Sequence, residues 1–398
     1  MEEACQKIIS LSENPNNGEA LKQLRTFVTS KEVLDLFNTC EKVNSCIEKL
    51  NFTQHPLAVT LLLLRKIALR DKKEELFDQI QQLFCQGNWT TAAEIPLEFE
   101  EVGLYFADLS VEKKWCYKAI YPLRCALSTY SKDQSTFTRL HTKFVKICLI
   151  TKHYREAQKV LEIPLLSVST RLLDTKINRS RIAHELICYF LYGARAYAAL
   201  KDFNKSIHFC KLAMTVPSAA LSAAVVEAYN FYVVVSLILY GEVLPIPKSA
   251  PNAVRRLELD IAYNDLTLAY RKRSIDEIEK AITAHSASFK ERGHYGLANQ
   301  GRKAFAIRRI TRLTHTYLVI SLKDISRDFK VMSPQQTHQI VLEMIDKGDI
   351  RATINDYEGM VKFEKSAEQN SSSSSLSTLE LEINKVTSIM KRISQVTI

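Results

Sequence analysis

The chain has 398 residues, of which 46% are hydrophobic and 25% charged, with ten glycines and ten prolines. This composition is typical of a folded, mainly α-helical protein and excludes a disordered or collagen-like chain. At this length we expect either two domains or an extended array of repeats. The formal charge of +10 is spread along the sequence. We interpret its basic clusters as solvated helix faces or contacts for acidic protein partners rather than as a phosphate-binding surface.

The nine cysteines stand singly among helix-forming residues, and no Cys-x-x-Cys pair occurs. A disulfide framework or a zinc site would need partners at short, repeated spacings. We therefore expect reduced, buried cysteines in a protein of the cytoplasm and nucleus. The residues Met1 to Gln6 lack the basic start and the apolar core of a secretory signal, which also favours an intracellular protein.

Residues 219–240 are apolar enough to suggest a membrane span. Glu227 and Asn230 interrupt the segment, however, and Pro245 and Pro247 follow it. A helix buried among other helices explains this pattern better than a lipid-embedded helix does. We expect no membrane association.

Successive amphipathic helices joined by short breaks predict a helical-repeat arm over residues 1–292. The clearest unit runs from Leu186 to Pro217 and is similar to a tetratricopeptide repeat. Its first helix carries small residues such as Gly193, which would let the antiparallel second helix approach closely. A related unit follows Lys152 and a weaker one surrounds Trp115, and the irregular spacing of these units indicates a degenerate array.

Gly293, Gly296 and Gly301 cluster without the Gly-Lys-Ser/Thr ending of a phosphate loop, so we interpret this stretch as a turn between the arm and the next domain. The following residues predict a helix that continues to Ile320. The apolar face of this helix recurs at steps of four and three residues: Ala306, Ile310, Leu313, Tyr317 and Ile320.

Residues 302–365 predict a winged helix, because two short helices precede two segments of alternating apolar residues joined by a turn that ends at Gly359. The hairpin is expected to present a sheet edge for protein contact, formed by Ile350, Arg351, Thr353, Ile354, Val361 and Phe363. Between Leu322 and Glu364, six Lys or Arg against eight Asp or Glu give a net charge of −2. Nucleic-acid binding by this module is therefore not expected.

Residues 366–376 include five consecutive serines and are predicted to be a flexible linker. Residues 377–398 predict a coiled-coil-type helix. The apolar residues that support it alternate at steps of three and four: Leu376, Leu379, Ile383, Val386, Met390 and Ile393. Such a stripe indicates a helix that binds partner helices in a bundle.

The sequence carries none of the common catalytic, cofactor or metal motifs, such as His-Glu-x-x-His, a phosphate loop or Gly-x-Ser-x-Gly. Its nine histidines stand apart from one another. We therefore predict a protein that is not an enzyme and needs no cofactor, and we assign no catalytic, cofactor-binding or metal-binding residue. A hydrolase whose groups meet only in three dimensions stays an alternative.

Helical repeats that lead into a winged helix resemble the PCI module, named for the proteasome lid, the COP9 signalosome and translation initiation factor three. In this family the module would also take in the last repeats, from about residue 184. The ordered set of motifs is similar to the subunit 3 family of the COP9 signalosome: Tyr189–Gly193, Leu200–Phe203, Val235–Gly241, Ile310–Thr314, Leu322–Ser326, Gly348–Asn355 and Gly359–Val361. The N-terminal third and the serine run depart from the family pattern.

This resemblance implies a non-catalytic scaffold in a complex that removes NEDD8 from cullins, with the chemistry carried by a different subunit. The winged helix would pair edge to edge with those of sister PCI subunits, by resemblance subunits 1 and 8. The last helix would join the C-terminal helices of sister subunits. Two alternatives stay open: a scaffold subunit of the proteasome lid or of initiation factor three, and a winged-helix regulator that binds nucleic acid.

Overall fold

The computed structural model describes residues 2–12, 18–28, 30–69, 73–87, 96–130, 136–168, 176–217, 221–257, 260–329 and 334–364, together with Glu380, Ile383, Asn384, Val386, Thr387 and Met390. Contacts divide the chain into two units, Met1–Thr267 and Leu268–Ile398. The predicted fold class is confirmed, since the protein is mainly helical, with helical repeats followed by a winged-helix module.

The first unit is the repeat arm. Its elements are α1 (Glu2–Ser12), α2 (Gly18–Val28), α3 (Lys31–Leu36), α4 (Cys40–Ile47), α5 (Pro56–Ala68), α6 (Lys73–Gln86), α7 (Pro96–Glu112), α8 (Cys116–Tyr130), β1 (Thr136–Phe137), α9 (Arg139–Ile150), α10 (Tyr154–Leu161), β2 (Ser167–Val168), α11 (Lys176–Ala199), α12 (Phe203–Thr215), α13 (Ala223–Leu239) and α14 (Asn252–Arg255). A further helix, α15 (Ile261–Arg271), runs across the division between the units. The short parallel pair β1 and β2 was not expected from the sequence.

Three helical hairpins, α7/α8, α9/α10 and α11/α12, share one kind of turn. In each turn a lysine adopts the left-handed conformation: Lys114 with φ 61°, Lys152 with φ 61° and Lys201 with φ 65°. The N–H of the next residue then donates to the carbonyl five residues back, as Trp115 does to Ser110 at 2.8 Å. This Schellman turn satisfies the last carbonyls of the first helix and reverses the chain within a few residues.

The hairpins stack side by side through their first helices. Between α7 and α9, the buried Glu100 carboxylate accepts hydrogen bonds from the backbone N–H of Arg139 at 2.7 Å and from its guanidinium at 2.8 Å. Lys143 and Asp108 form a second link at 2.6 Å. Because the buried carboxylate receives two donors, one of them charged, its desolvation is offset.

Aromatic side chains fill the interior between α6 and α7. The Phe77 and Phe106 rings stack with centroids 4.6 Å apart, and the Trp115 ring meets the edge of Phe77 at 5.1 Å. Trp115 therefore anchors the start of α8 against the preceding hairpin. This arrangement agrees with the repeat unit that the sequence indicated around this residue.

The expected close approach of α11 and α12 at Gly193 is confirmed. A methyl group added at Gly193 would lie 2.6 Å from Cδ1 of Phe209 and 2.9 Å from Cδ2 of Leu161. Only a residue without a side chain fits between these two neighbours.

The apolar segment at residues 219–240 contains α13, which is buried on nearly all sides. Two of its polar residues have partners within the arm: Glu227 pairs with Arg195 at 2.6 Å, and the Asn230 amide donates to Asp260 at 3.5 Å. In the part of the chain that the structure describes, no helix has both the length and the apolar character needed to cross a bilayer.

The second unit holds the winged helix. Its elements are α16 (Ile275–Ala284), α17 (Ser286–Glu291), α18 (Tyr295–Thr316), β3 (Val319–Ser321), α19 (Leu322–Phe329), α20 (Pro334–Asp346), β4 (Ala352–Asn355) and β5 (Met360–Phe363). Ile275 from α16 belongs to the same core as Ile310, Val341 and Phe363. For that reason the contacts divide the chain ahead of α16, whereas the sequence placed the end of the arm at residue 292.

Two local expectations differ from the structure. Gly296 and Gly301 lie inside α18, so only Gly293, with φ 73°, acts as a turn residue. Helix α18 also ends at Thr316, and Ile320 is paired with Val361 in strand β3 instead of continuing the helix. The predicted continuation of the helix to Ile320 is wrong, because this three-residue strand is specified by its pairing with β5 and not by a periodicity of its own.

The left-handed turns generate a stability prediction. Replacing Lys114 with Gly removes the contact between Cβ and the carbonyl that disfavours the left-handed conformation, and should raise the free energy of unfolding by about 1 kcal/mol. The neighbouring Lys113 is also an exposed turn lysine but is not left-handed. Replacing Lys113 with Gly should therefore not raise the free energy of unfolding. Urea unfolding followed by circular dichroism measures both variants, and equal shifts for the two would contradict this account of the turn.

Candidate functional site

The winged-helix sheet has three strands in the order β3-β5-β4. Strand β5 lies in the centre and pairs antiparallel with both neighbours. The outer sides of β3 and β4 are therefore the two sheet edges. Unpaired N–H and C=O groups at such an edge can bond to a strand from another chain.

The register identifies which backbone groups of β4 point away from β5. Glu364 N–H donates to the carbonyl of Arg351 at 2.9 Å. Because hydrogen-bonded and non-hydrogen-bonded pairs alternate in an antiparallel ladder, Thr353 and Asn355 also bond to β5. The N–H and C=O groups of Ala352 and Ile354 then point away from β5 and form the outer edge.

The six residues predicted for this edge fall into different environments. Ile350 is buried just before β4, Arg351 and Thr353 are exposed, and Ile354 is half-buried. The other two, Val361 and Phe363, lie on the central strand with their side chains in the core, 0% and 3% exposed. Their strand has a neighbour on each side and their own N–H and C=O groups face β3, so the prediction that Val361 and Phe363 form the edge is wrong and both are core residues.

The opposite edge carries an apolar row that sequence reasoning missed. Tyr317, Leu318 and Val319 are 47%, 61% and 45% exposed. Phe363 N–H donates to the Leu318 carbonyl at 2.8 Å, so by the same alternation Val319 directs its N–H and C=O outward. The four consecutive apolar residues from Tyr317 to Ile320 are compatible with a strand as well as with the end of the preceding helix, so the sequence offers only a weak signal here.

Helix α20 corresponds to the helix that reads DNA in nucleic-acid-binding winged helices. Its exposed residues include Gln335, Gln336, Gln339 and Glu343, and its sequence holds no Lys or Arg. His338 Nε2 lies 3.2 Å from the Asp356 carboxylate in the turn between β4 and β5. This face lacks the cations that phosphate contacts require.

Two basic residues of α18, Arg302 and Arg308, are engaged within the second unit. Arg302 pairs with Glu279 at 3.2 Å. Arg308 is half-buried next to Tyr270, and burial lowers the pKa of its guanidinium. Arg302 and Arg308 are therefore less available to a phosphate backbone than solvated cations would be.

The C-terminal stripe is described at three of its six positions. Ile383, Val386 and Met390 are helical and 59%, 55% and 67% exposed. Leu376, Leu379 and Ile393, like the linker at 366–376, lie outside the described residues. An apolar row this exposed indicates a surface that another helix covers.

Comparison with known proteins covers both units. The family model for COP9 signalosome complex subunit 3, N-terminal helical repeats, matches residues 18–254, and the PCI domain model matches residues 268–365. The PCI match thus begins at Leu268, where the contacts also divide the chain.

Two curated relatives carry the name COP9 signalosome complex subunit 3. The protein from Dictyostelium discoideum is 28% identical over 390 residues, which cover 96% of this chain and 90% of the relative. The protein from Drosophila melanogaster is 26% identical over 369 residues, which cover 89% of this chain and 82% of the relative. Since the helical-repeat match alone spans more than half of the sequence and the PCI match follows it in order, the chain belongs to the COP9 signalosome complex subunit 3 family.

Proposed function

We propose that this chain is a non-catalytic scaffold subunit of a COP9 signalosome, where it supports the removal of NEDD8 from cullins in the cytoplasm and nucleus. The observation that carries the proposal is a three-stranded winged-helix sheet whose two edges pair with no other strand among the described residues, in a chain whose arm matches the subunit 3 repeats. Edges of this kind suit a subunit that is joined to neighbours on both sides.

The partners are proposed from the same geometry. The edges β3 and β4 would each add to a strand of a sister PCI subunit, by family resemblance subunits 1 and 8. The stripe of Ile383, Val386 and Met390 would enter a bundle of C-terminal helices. Within the described ranges, no three His, Cys, Asp or Glu side chains converge to hold a metal ion. In this proposal the deneddylation chemistry belongs to another subunit.

The test of the proposed function is the composition of the complex. Purified from its own cells through a tag, the full-length chain should co-elute with the other signalosome subunits, and native mass spectrometry should give one of each. The eluate should release NEDD8 from a neddylated cullin, while the isolated chain should not. Proteasomal proteases or ribosomal proteins in place of the signalosome subunits would assign the chain to a different PCI complex.

Edge pairing is tested with a proline at Ala352. Its N–H points away from β5, so proline there should leave the internal ladder intact and remove one intermolecular donor. We expect an unchanged melting temperature. Co-purification of one neighbouring subunit should fall about tenfold, since each lost intermolecular hydrogen bond contributes about 0.5–1.5 kcal/mol and the ring also blocks strand approach.

The matched control is proline at Thr353, whose N–H bonds to β5. This change should lower the melting temperature of the isolated chain, because it removes a bond inside the sheet. Val319→Pro tests the other edge in the same way as Ala352→Pro and should affect the other neighbour. Wild-type assembly by both Ala352→Pro and Val319→Pro would show that neither edge is an interface.

The tail stripe is tested by changing Ile383 and Val386 together to Asp. Burying such side chains contributes about 1.5–3 kcal/mol each, so retention in the complex should weaken at least tenfold while the isolated chain melts as before. Ending the chain after Ser375 should have the same effect.

The charge control places two Asp residues at Asn384 and Ser388, which the heptad pattern locates outside the stripe. This variant should assemble normally. Equal losses for both double variants would mean that negative charge and not the apolar stripe is responsible. A lowered melting point of the Ile383/Val386 variant would mean that the tail packs on its own chain.

A further inference from the structure

A cleft in the second unit opens between α16, α18 and α20 and has a volume of about 260 Å³. Its apolar floor consists of Ile275, Ile307 and Ile340, one from each of the three helices. Three branched aliphatic side chains around one small cavity favour an aliphatic group over a large aromatic ring.

The walls and rim of the cleft are polar and balanced in charge. Glu279 and Glu343 supply two carboxylates, and Arg302 and Lys303 supply two cations. A site with equal numbers of positive and negative side chains does not strongly attract a phosphate backbone or a polycation. It fits a ligand that is neutral and polar.

One ion pair in the wall is only partly satisfied. Arg302 contacts Oε1 of Glu279 at 3.2 Å through one terminal nitrogen. Oε2 of Glu279 and Nε of Arg302 have no hydrogen-bond partner among the described residues. A guanidinium carries five N–H donors, so this pair can turn toward an occupant and gain the bonds it lacks.

Helix α20 adds two side-chain amides to the rim, those of Gln336 and Gln339, and both residues are exposed. An amide offers a donor and an acceptor at once, and so does a peptide bond. The cleft thus joins amide-complementary groups at its rim to an aliphatic floor.

We propose that this cleft binds a short neutral peptide segment of a partner protein. The segment inserts one aliphatic side chain between Ile275, Ile307 and Ile340. Its backbone amide bonds to Gln339 and to the Arg302–Glu279 pair. Complementarity of charge and of hydrogen-bonding groups selects a peptide here over a nucleic acid.

The experiment uses the isolated full-length chain with 13C-labelled isoleucine methyl groups, so its outcome is independent of complex assembly. The probe is acetyl-Gly-Leu-Gly-amide, titrated to millimolar concentration. We expect saturable shifts of the Ile275, Ile307 and Ile340 methyl signals. The methyl signal of Ile80, buried in the arm core, should not move.

Two matched comparisons test amide recognition. Methylating the leucine nitrogen of the probe removes its N–H donor and should weaken binding about tenfold, the factor expected for one hydrogen bond to a charged group. Gln339→Glu should weaken binding of the unmodified probe to a similar extent. Gln335→Glu makes the same change on the same helix at an exposed residue outside the cleft lining, and should leave binding unchanged.

Three results would overturn the proposal. The first is the absence of shifts at the three isoleucines at millimolar probe. The second is a probe affinity that changes neither on N-methylation nor on Gln339→Glu, which would mean that the cleft binds apolar groups without recognising an amide. The third is a short DNA duplex that shifts the same methyl signals at lower concentration than the peptide does.

Discussion

Reversal of the chain between antiparallel helices is the constraint on which the arm depends. A helical hairpin can bury its apolar face only against its own second helix and the next hairpin, so the connection must be short and fixed in direction. Here the fixed direction comes from a left-handed residue at Lys114, Lys152 and Lys201. Lysine pays a steric cost in this conformation that glycine would avoid, but its charge lies next to the carbonyl end of the preceding helix.

This constraint explains what could be predicted about the arm. The tight contact at Gly193 was predictable, because a small residue opposite an antiparallel helix has a direct steric meaning. The left-handed conformation of the three lysines was not predictable, since a lysine side chain does not favour a positive φ. The pair β1 and β2 was missed for a related reason: two-residue strands are defined by a partner some thirty positions away and leave no local pattern.

At the candidate site, too, the sequence predicts the placement of side chains better than the pairing of backbone groups. Alternating apolar residues correctly located the hairpin at β4 and β5, but alternation reports which side chains face the core. It carries no information on which backbone groups are unpaired. The sequence therefore places Val361 and Phe363 at an edge, whereas β5 is the central strand. The reason is that the residues of the third strand, β3, are predicted as the end of the preceding helix. Once β3 is placed, both edges and their outward N–H groups follow from the register.

The position of the charged residues, and not the net charge alone, decides whether this protein suits a nucleic acid. A surplus of ten positive charges would favour nucleic acid if the cations were gathered on one accessible face. In the second unit, Arg302 is paired with Glu279 and Arg308 is half-buried beside Tyr270, while α20 has no cation in its sequence. The helix best placed to enter a groove thus offers no Lys or Arg to a phosphate. Glutamine and glutamate on that helix favour amides and cations as partners, and these are the groups that a protein surface offers.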